Sequence, residues 1–264
     1  MASWWRVLQR MKEAYVVNRR GIPDALWQLT LLRYSFLGRL EERDQAALRE
    51  MATLFLADKE FHGAGGLEVD DQMAVAIAAQ ACLPVLKLGL EWYSAFKGIV
   101  VHADVVLARR EVMDETGVVH EYDEELTGEA MEGGPVMLSW RDVEDSDESA
   151  DWGYNVVLHE FAHVLDMRDG VADGVPPLPN RSAREQWLSI LDAQYQALCD
   201  AVDRDEETLL DPYGAQAESE FFAVATETFF TLPRELRAQH PSLYALLAEF
   251  FQQDPAMQWS SPTA

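Results

Sequence analysis

Asn155-Val-Val-Leu-His159-Glu160-Phe-Ala-His163-Val-Leu-Asp166 is the stretch whose reading decides the fold. On a helix, residues four apart project from one face, so His159 and His163 can reach a single metal ion together. A Zn²⁺ ion about 2.0–2.1 Å from each ring nitrogen fits that spacing. Glu160 then points at the open coordination position, where a water with its pKa lowered to about 7 can pass its proton to a carboxylate. With 6 histidines in 264 residues, a shuffled chain of this composition would hold H-E-x-x-H roughly one time in a hundred. A solvated helix with two ordinary histidines fits less well. Val156, Val157, Leu158, Phe161, Ala162, Val164 and Leu165 surround the motif with apolar residues, and a buried imidazole needs a partner.

Catalytic zinc sites hold three protein ligands and keep one position open. One arrangement extends the motif to H-E-x-x-H-x-x-G-x-x-H. Here Asp166 and Asp169 occupy the last two fixed positions, and the glycine that would turn the chain back is missing. The other arrangement takes a carboxylate from Tyr213-Gly-Ala-Gln-Ala-Glu218-Ser-Glu220-Phe-Phe-Ala-Val-Ala-Thr-Glu227-Thr-Phe-Phe, an apolar run carrying three glutamates. A buried glutamate without a partner is costly, so a cation is expected beside at least one of them. Composition and spacing do not choose among Glu218, Glu220 and Glu227. Asp166, three residues after His163, falls on the metal face of its helix. It reads equally as an acceptor for a ligand histidine N–H and as an ordinary aspartate at a helix end. Glu227, seven residues after Glu220, carries the same two readings.

Ile77-Ala-Ala-Gln-Ala-Cys-Leu-Pro84, Gly134-Pro-Val-Met-Leu-Ser-Trp140, the His159 segment and Tyr213–Glu220 together resemble the Mlc titration factor A family of bacterial zinc metallopeptidases. The resemblance spans residues 20–255, and its metal site is similar to that of the anthrax lethal factor catalytic domain. It implies a zincin-like fold of the gluzincin type with one zinc. The third ligand would be a glutamate seven residues after a tyrosine, which here are Glu220 and Tyr213. Tyr213 becomes a donor to the oxyanion of the tetrahedral intermediate. The resemblance also implies aminopeptidase activity on peptide substrates and, in some bacteria, binding of the glucose repressor Mlc.

The net charge of −25, from 21 basic and 46 acidic residues, argues against direct nucleic acid binding, which needs clustered Lys and Arg. The charge is uneven. Residues 1–40 hold seven basic and two acidic side chains, leaving 14 basic and 44 acidic in residues 41–264. A basic amphipathic N-terminus can touch an anionic partner or membrane surface, or simply be a solvated helix face. The acidic remainder favours a cationic substrate group, such as the free N-terminus of a peptide. Cys82 and Cys199 make no disulfide framework. No apolar run approaches the roughly 20 residues of a bilayer span, and residues 1–10 do not read as a signal peptide. A cytoplasmic protein without a transmembrane segment is expected.

Helical periodicity covers residues 24–62 and 70–83, with strands over 99–107 and 135–140 and a hairpin or meander over 111–122. Residues 142–151, with six acids, read as an exposed loop, and the chain after Pro255 as a mobile tail. Amphipathic helices follow at 182–198 and 241–252. The fold expected is α+β: one unit over residues 1–264, with a helical N-terminal lobe (20–134) and a metal-site lobe (135–254). A small mixed sheet would back the H-E-x-x-H helix. Val136, Met137, Leu138 and Ser139 would form an edge strand holding an extended peptide by main-chain hydrogen bonds. The rival reading is a regulatory binding protein whose zinc is chiefly structural. Glu160 discriminates, since a structural site needs no base.

Overall fold

Helices fill both ends of the chain and a small sheet lies between them in the computed structural model, which describes residues 2–104, 106–113, 119–126, 128–130, 133–150 and 152–258. The first part is helical: α1 (Ala2–Arg20), α2 (Asp24–Arg33), α3 (Ser35–Gly38) and α4 (Glu42–Asp58). The helical stretch expected over 24–62 is thus broken. At Tyr34 the backbone leaves helical geometry (φ −106°, ψ 87°), and the buried phenol donates to the Val143 carbonyl at 3.0 Å. Strand β1 (Glu60–Gly63) replaces the end of that stretch. The alanine-rich α5 (Asp71–Cys82) follows, capped by Asp70, whose carboxylate accepts from Met73 N at 2.8 Å.

The expected strand over 99–107 is divided. Strand β2 (Gly98–His102) ends at a bend, and β3 (Val106–Met113) pairs antiparallel with β4 (Val119–Leu126) as a separate hairpin. Residues 114–118, between these two strands in sequence, lie outside the described residues. Strands β5 (Gly128–Ala130) and β6 (Val136–Ser139) complete the larger sheet in the order β1-β2-β6-β5. The first three are mutually parallel, and β5 is antiparallel to β6, so this sheet is mixed.

That order corrects one expectation. Val136, Met137, Leu138 and Ser139 are not an edge. All four pair with β2 on one side, and Val136, Met137 and Leu138 pair with β5 on the other, which leaves these three no free ladder for a peptide. Among the described residues, the edge next to the metal-motif helix is β5.

The acidic run is also not a loop. It forms α6 (Trp140–Glu144) and α7 (Ser146–Ala150), apart from Asp151, which lies outside the described residues. Ser139 Oγ caps α6 and the Ser146 hydroxyl donates to the Asp142 carbonyl. Val143 is fully buried, so one apolar residue anchors an otherwise acidic segment. The metal-motif helix α8 (Val156–Asp166) follows, then α9 (Arg181–Asp203), α10 (Glu218–Thr231), α11 (Pro233–Gln239) and α12 (Pro241–Phe251). The expected mobile tail begins instead with α13 (Pro255–Gln258). Ala256 is buried, and its N–H donates to the Tyr244 hydroxyl. Residues 259–264 lie outside the described residues.

A single hydrophobic cluster runs from Ile22 to Ala256 and includes residues on both sides of position 135. Under α8, Phe161 sits among Tyr93, Phe55 and Phe96 with ring centroids 5.0, 5.9 and 5.9 Å away. Removing such a ring costs about 3–5 kcal/mol, so this packing firmly sets the height and rotation of the helix. No helix among the described residues is long and apolar enough to cross a membrane.

Candidate metal centre

Asn155 starts α8. Its side-chain oxygen accepts from Leu158 N at 2.9 Å, and its amide donates to Gln80 Oε1 on α5 at 2.7 Å. Both side chains are fully buried. The cap is worth about 1 kcal/mol, and it also fixes where the first turn begins. Val157, Leu158, Phe161 and Leu165 then face the core, while His159 and His163 share the other face, ring centroids 4.8 Å apart. The two imidazoles are nearly buried, 12% and 13% exposed.

Helix α10 packs against α8 and brings Glu220 to them. Glu220 Oε2 lies 3.1 Å from His159 Nε2 and 3.3 Å from His163 Nε2, and the two Nε2 atoms are 3.2 Å apart. Tetrahedral zinc with bonds near 2.0–2.1 Å requires ligand atoms separated by about 3.3 Å. The three separations approach that value together, so the donor set fits a metal of this kind. Without a metal, burial alone would push His159 down. Hydrogen bonds to Glu220 and Glu227 outweigh this and hold it well above the usual histidine range. Glu220 is correspondingly held down to about 2, because its bonds to the two histidines overcome its own burial.

Glu227 sits behind His159. One oxygen is 2.8 Å from His159 Nδ1 and the other accepts from the backbone N–H of Asn155. With Nδ1–H donated to this carboxylate, Nε2 presents its lone pair to the cluster. Burial pushes Glu227 upward as well, against the pull of its bonds to His159 and to the Asn155 N–H. Asp166 is placed differently. Its Oδ2 accepts from Gly174 N at 2.9 Å, tying the end of α8 to the loop beyond it. Glu218 is exposed, and exposed Asp169 accepts from Val171 N in a turn.

Glu160 is buried at 4% exposure, and burial pushes its carboxyl to about 6 against the opposing pull of His159 and His163. Gly128 of β5 lies directly against it. A Cβ at Gly128 would overlap the Glu160 carboxylate, so the edge strand approaches this side chain as closely as a backbone can. Tyr213 lies on a 3₁₀ turn, Pro212–Ala215, capped by Asp211. Its ring is 5.9 Å from that of His159 and 43% exposed. His159, His163, Glu220, Glu160, Tyr213 and Glu227 are thus brought together, whereas Asp166 turns towards the loop. Sequence reasoning missed Gln80, Asn155 and Gly128. An Asn just before an apolar helical run is a cap signal that could have found Asn155; nothing local marks the other two.

A family model described as glucose-regulated metallo-peptidase M90 matches residues 5–252. The chain belongs to this family. Mlc titration factor A of Serratia proteamaculans is 36% identical over 234 residues, covering 88% of each chain. The protein of that name from Escherichia coli is 34% identical over 259 residues, covering 97% of this chain and 93% of its own. An uncharacterized Synechocystis protein is 37% identical over 239 residues, covering 90% and 86%. In this member of the M90 family, the nearly buried His159 and His163 and the half-buried Glu220 form a cluster able to hold a metal ion.

Proposed function

We propose that this M90 member is a zinc-dependent peptidase with a zincin-like core, removing residues from the free N-termini of peptides. The observation that carries the reading is the convergence of His159, His163 and Glu220 beside the buried carboxylate of Glu160. His159, His163 and Glu220 would hold the ion, with Glu227 fixing the tautomer of His159. What zinc supplies when bound is Lewis acidity and a water acidified to a pKa of about 7. Glu160 takes a proton and returns it to the leaving amine. Tyr213, at the rim, donates to the oxyanion. The edge of β5 left unpaired among the described residues would hold the substrate backbone, in the role first expected of Val136–Ser139. The 44 acids against 14 bases beyond residue 40 would draw an α-ammonium group to the site.

A second reading is a regulatory binding protein with a chiefly structural metal, acting on a repressor of the Mlc type. The name of two of the relatives, Mlc titration factor A, speaks for it more directly than for aminopeptidase activity. Against a purely structural role stands the donor count. Three groups gather among the described residues, where structural zinc is usually closed by four.

Cleavage-site mapping on a mixed peptide library, with free and acetylated N-termini, separates these readings. Stepwise loss of N-terminal residues from free peptides alone is the expected result. Internal cleavage of both kinds would make the protein an endopeptidase. No cleavage by zinc-loaded protein that still retains an Mlc-type repressor would favour the second reading.

A further inference from the structure

Among its described side chains, helix α1 turns Val16 and Val17 to the body of the protein and leaves a second apolar set exposed. The two valines are half-buried where α1 packs on α4. Trp4, Leu8, Met11 and Tyr15 follow at i, i+4, i+7 and i+11, which places them in one stripe along the helix. They are 74%, 40%, 65% and 60% exposed. The charge of the helix is opposite to that of the molecule. Its 19 residues contain Arg6, Arg10, Lys12, Arg19 and Arg20 against Glu13 alone, in a chain with a net charge of −25. Arg10, Lys12, Arg19 and Arg20 are exposed, and the Arg19 guanidinium lies 5.6 Å from the centre of the Tyr15 ring.

We infer that α1 is a surface-docking helix that lays its Trp4–Leu8–Met11–Tyr15 stripe on an anionic phospholipid bilayer without crossing it. Apolar and aromatic side chains in one stripe with neighbouring cations are what a helix lying in the headgroup boundary requires. Arg19, one turn beyond Tyr15, borders the stripe where a phosphate would sit, and Lys12, exposed one turn beyond Leu8, stands where the stripe meets the groove against α4. The acidic remainder does not prevent this contact. A helix with its side chains is about 10–12 Å across, and charges are screened over about 8 Å at physiological salt. A surface touching the stripe therefore meets the cations of α1 first. A second copy docking through the same stripe is a poorer occupant, because it would set the cations of two α1 helices against each other.

The test is co-sedimentation of the full chain with vesicles of phosphatidylglycerol and phosphatidylcholine (1:1) or of phosphatidylcholine alone, in 0.1 M salt. The expected result is at least about tenfold stronger partitioning onto the anionic vesicles, lost in 1 M salt. Trp4→Ser/Met11→Ser/Tyr15→Ser removes the stripe, and Lys12→Glu/Arg19→Glu reverses the flanking charge. Both should lose the binding while melting like the parent, since all five side chains are exposed. Equal or absent binding to the two vesicle types, or variants that bind like the parent, would overturn the inference. So would a dimer in sedimentation velocity that the triple serine variant dissolves, which would assign the stripe to a second copy.

Discussion

Glu227 is held at both oxygens, one against His159 Nδ1 and one by the Asn155 backbone N–H, so it is fixed before any metal arrives. Glu227→Gln keeps the shape but loses the charge that orients the imidazole. Zinc affinity, measured by chelator competition, should fall about 10–100-fold. Glu220→Ala removes a ligand and should strip most of the zinc. Full occupancy in Glu220→Ala together with loss in Glu227→Ala would reverse the two roles. Asp166 supports a different prediction. Burial pushes it up to about 6 from the ordinary 3.8, partly offset by the Gly174 N–H. Because the folded value is the higher, its contribution to stability is complete below about pH 4 and is lost as pH rises through 6. The ionised form then costs up to about 3 kcal/mol. Asp166→Asn can keep the bond from Gly174 and does not ionise. The stability of the metal-free variant relative to the parent should therefore improve between pH 4.5 and pH 8. Parallel curves in chemical denaturation would contradict this.

At the scale of elements, β5 is the piece most closely tied to the proposed chemistry. Gly128→Ala forces a methyl group into the Glu160 carboxylate, which must then shift. Hydrolysis should drop at least tenfold with zinc retained, since misplacing a reacting group by about 1 Å can cost 10²-fold. Unchanged activity would remove β5 from the site. How far such elements were legible depends on how local their causes are. Helices α5, α8 and α9 could be read because 3.6-residue periodicity is a short-range signal, and the caps Asp70, Asn155 and Asn180, which went unread, are signals of the same local kind. Strand β5 could not. It is a Gly-Glu-Ala tripeptide with no strand propensity, and only its pairing with β6 makes it a strand. Helices α6 and α7 were missed because burial of Val143 in a distant core outweighs an acidic composition. The same division holds in the site. His159 and His163 follow from i, i+4 spacing, whereas Glu220 was chosen by resemblance. The different placements of Glu227 and Asp166 depend on tertiary packing that spacing does not carry.

At the scale of the whole molecule, charge and architecture bear on one reaction. Strongly negative potential beyond residue 40 would act on a cationic substrate over distances set by salt. For unblocked peptides, kcat/KM should therefore fall as salt rises from 0.1 M to 1 M, where the screening length shrinks from about 10 Å to about 3 Å. Acetylated peptides should lack that dependence, and equal salt slopes for the two would remove the acidic surface from substrate capture. The central claim is that α8 and α10 assemble a hydrolytic centre rather than a metal staple. Its most direct measurement is hydrolysis of an unblocked peptide by zinc-loaded parent and zinc-loaded Glu160→Gln, with zinc content measured in the same samples. The account predicts equal zinc in both and a rate about 10²–10⁴-fold lower in the variant. Equal zinc with a loss of less than tenfold, or no hydrolysis by the loaded parent, would contradict it.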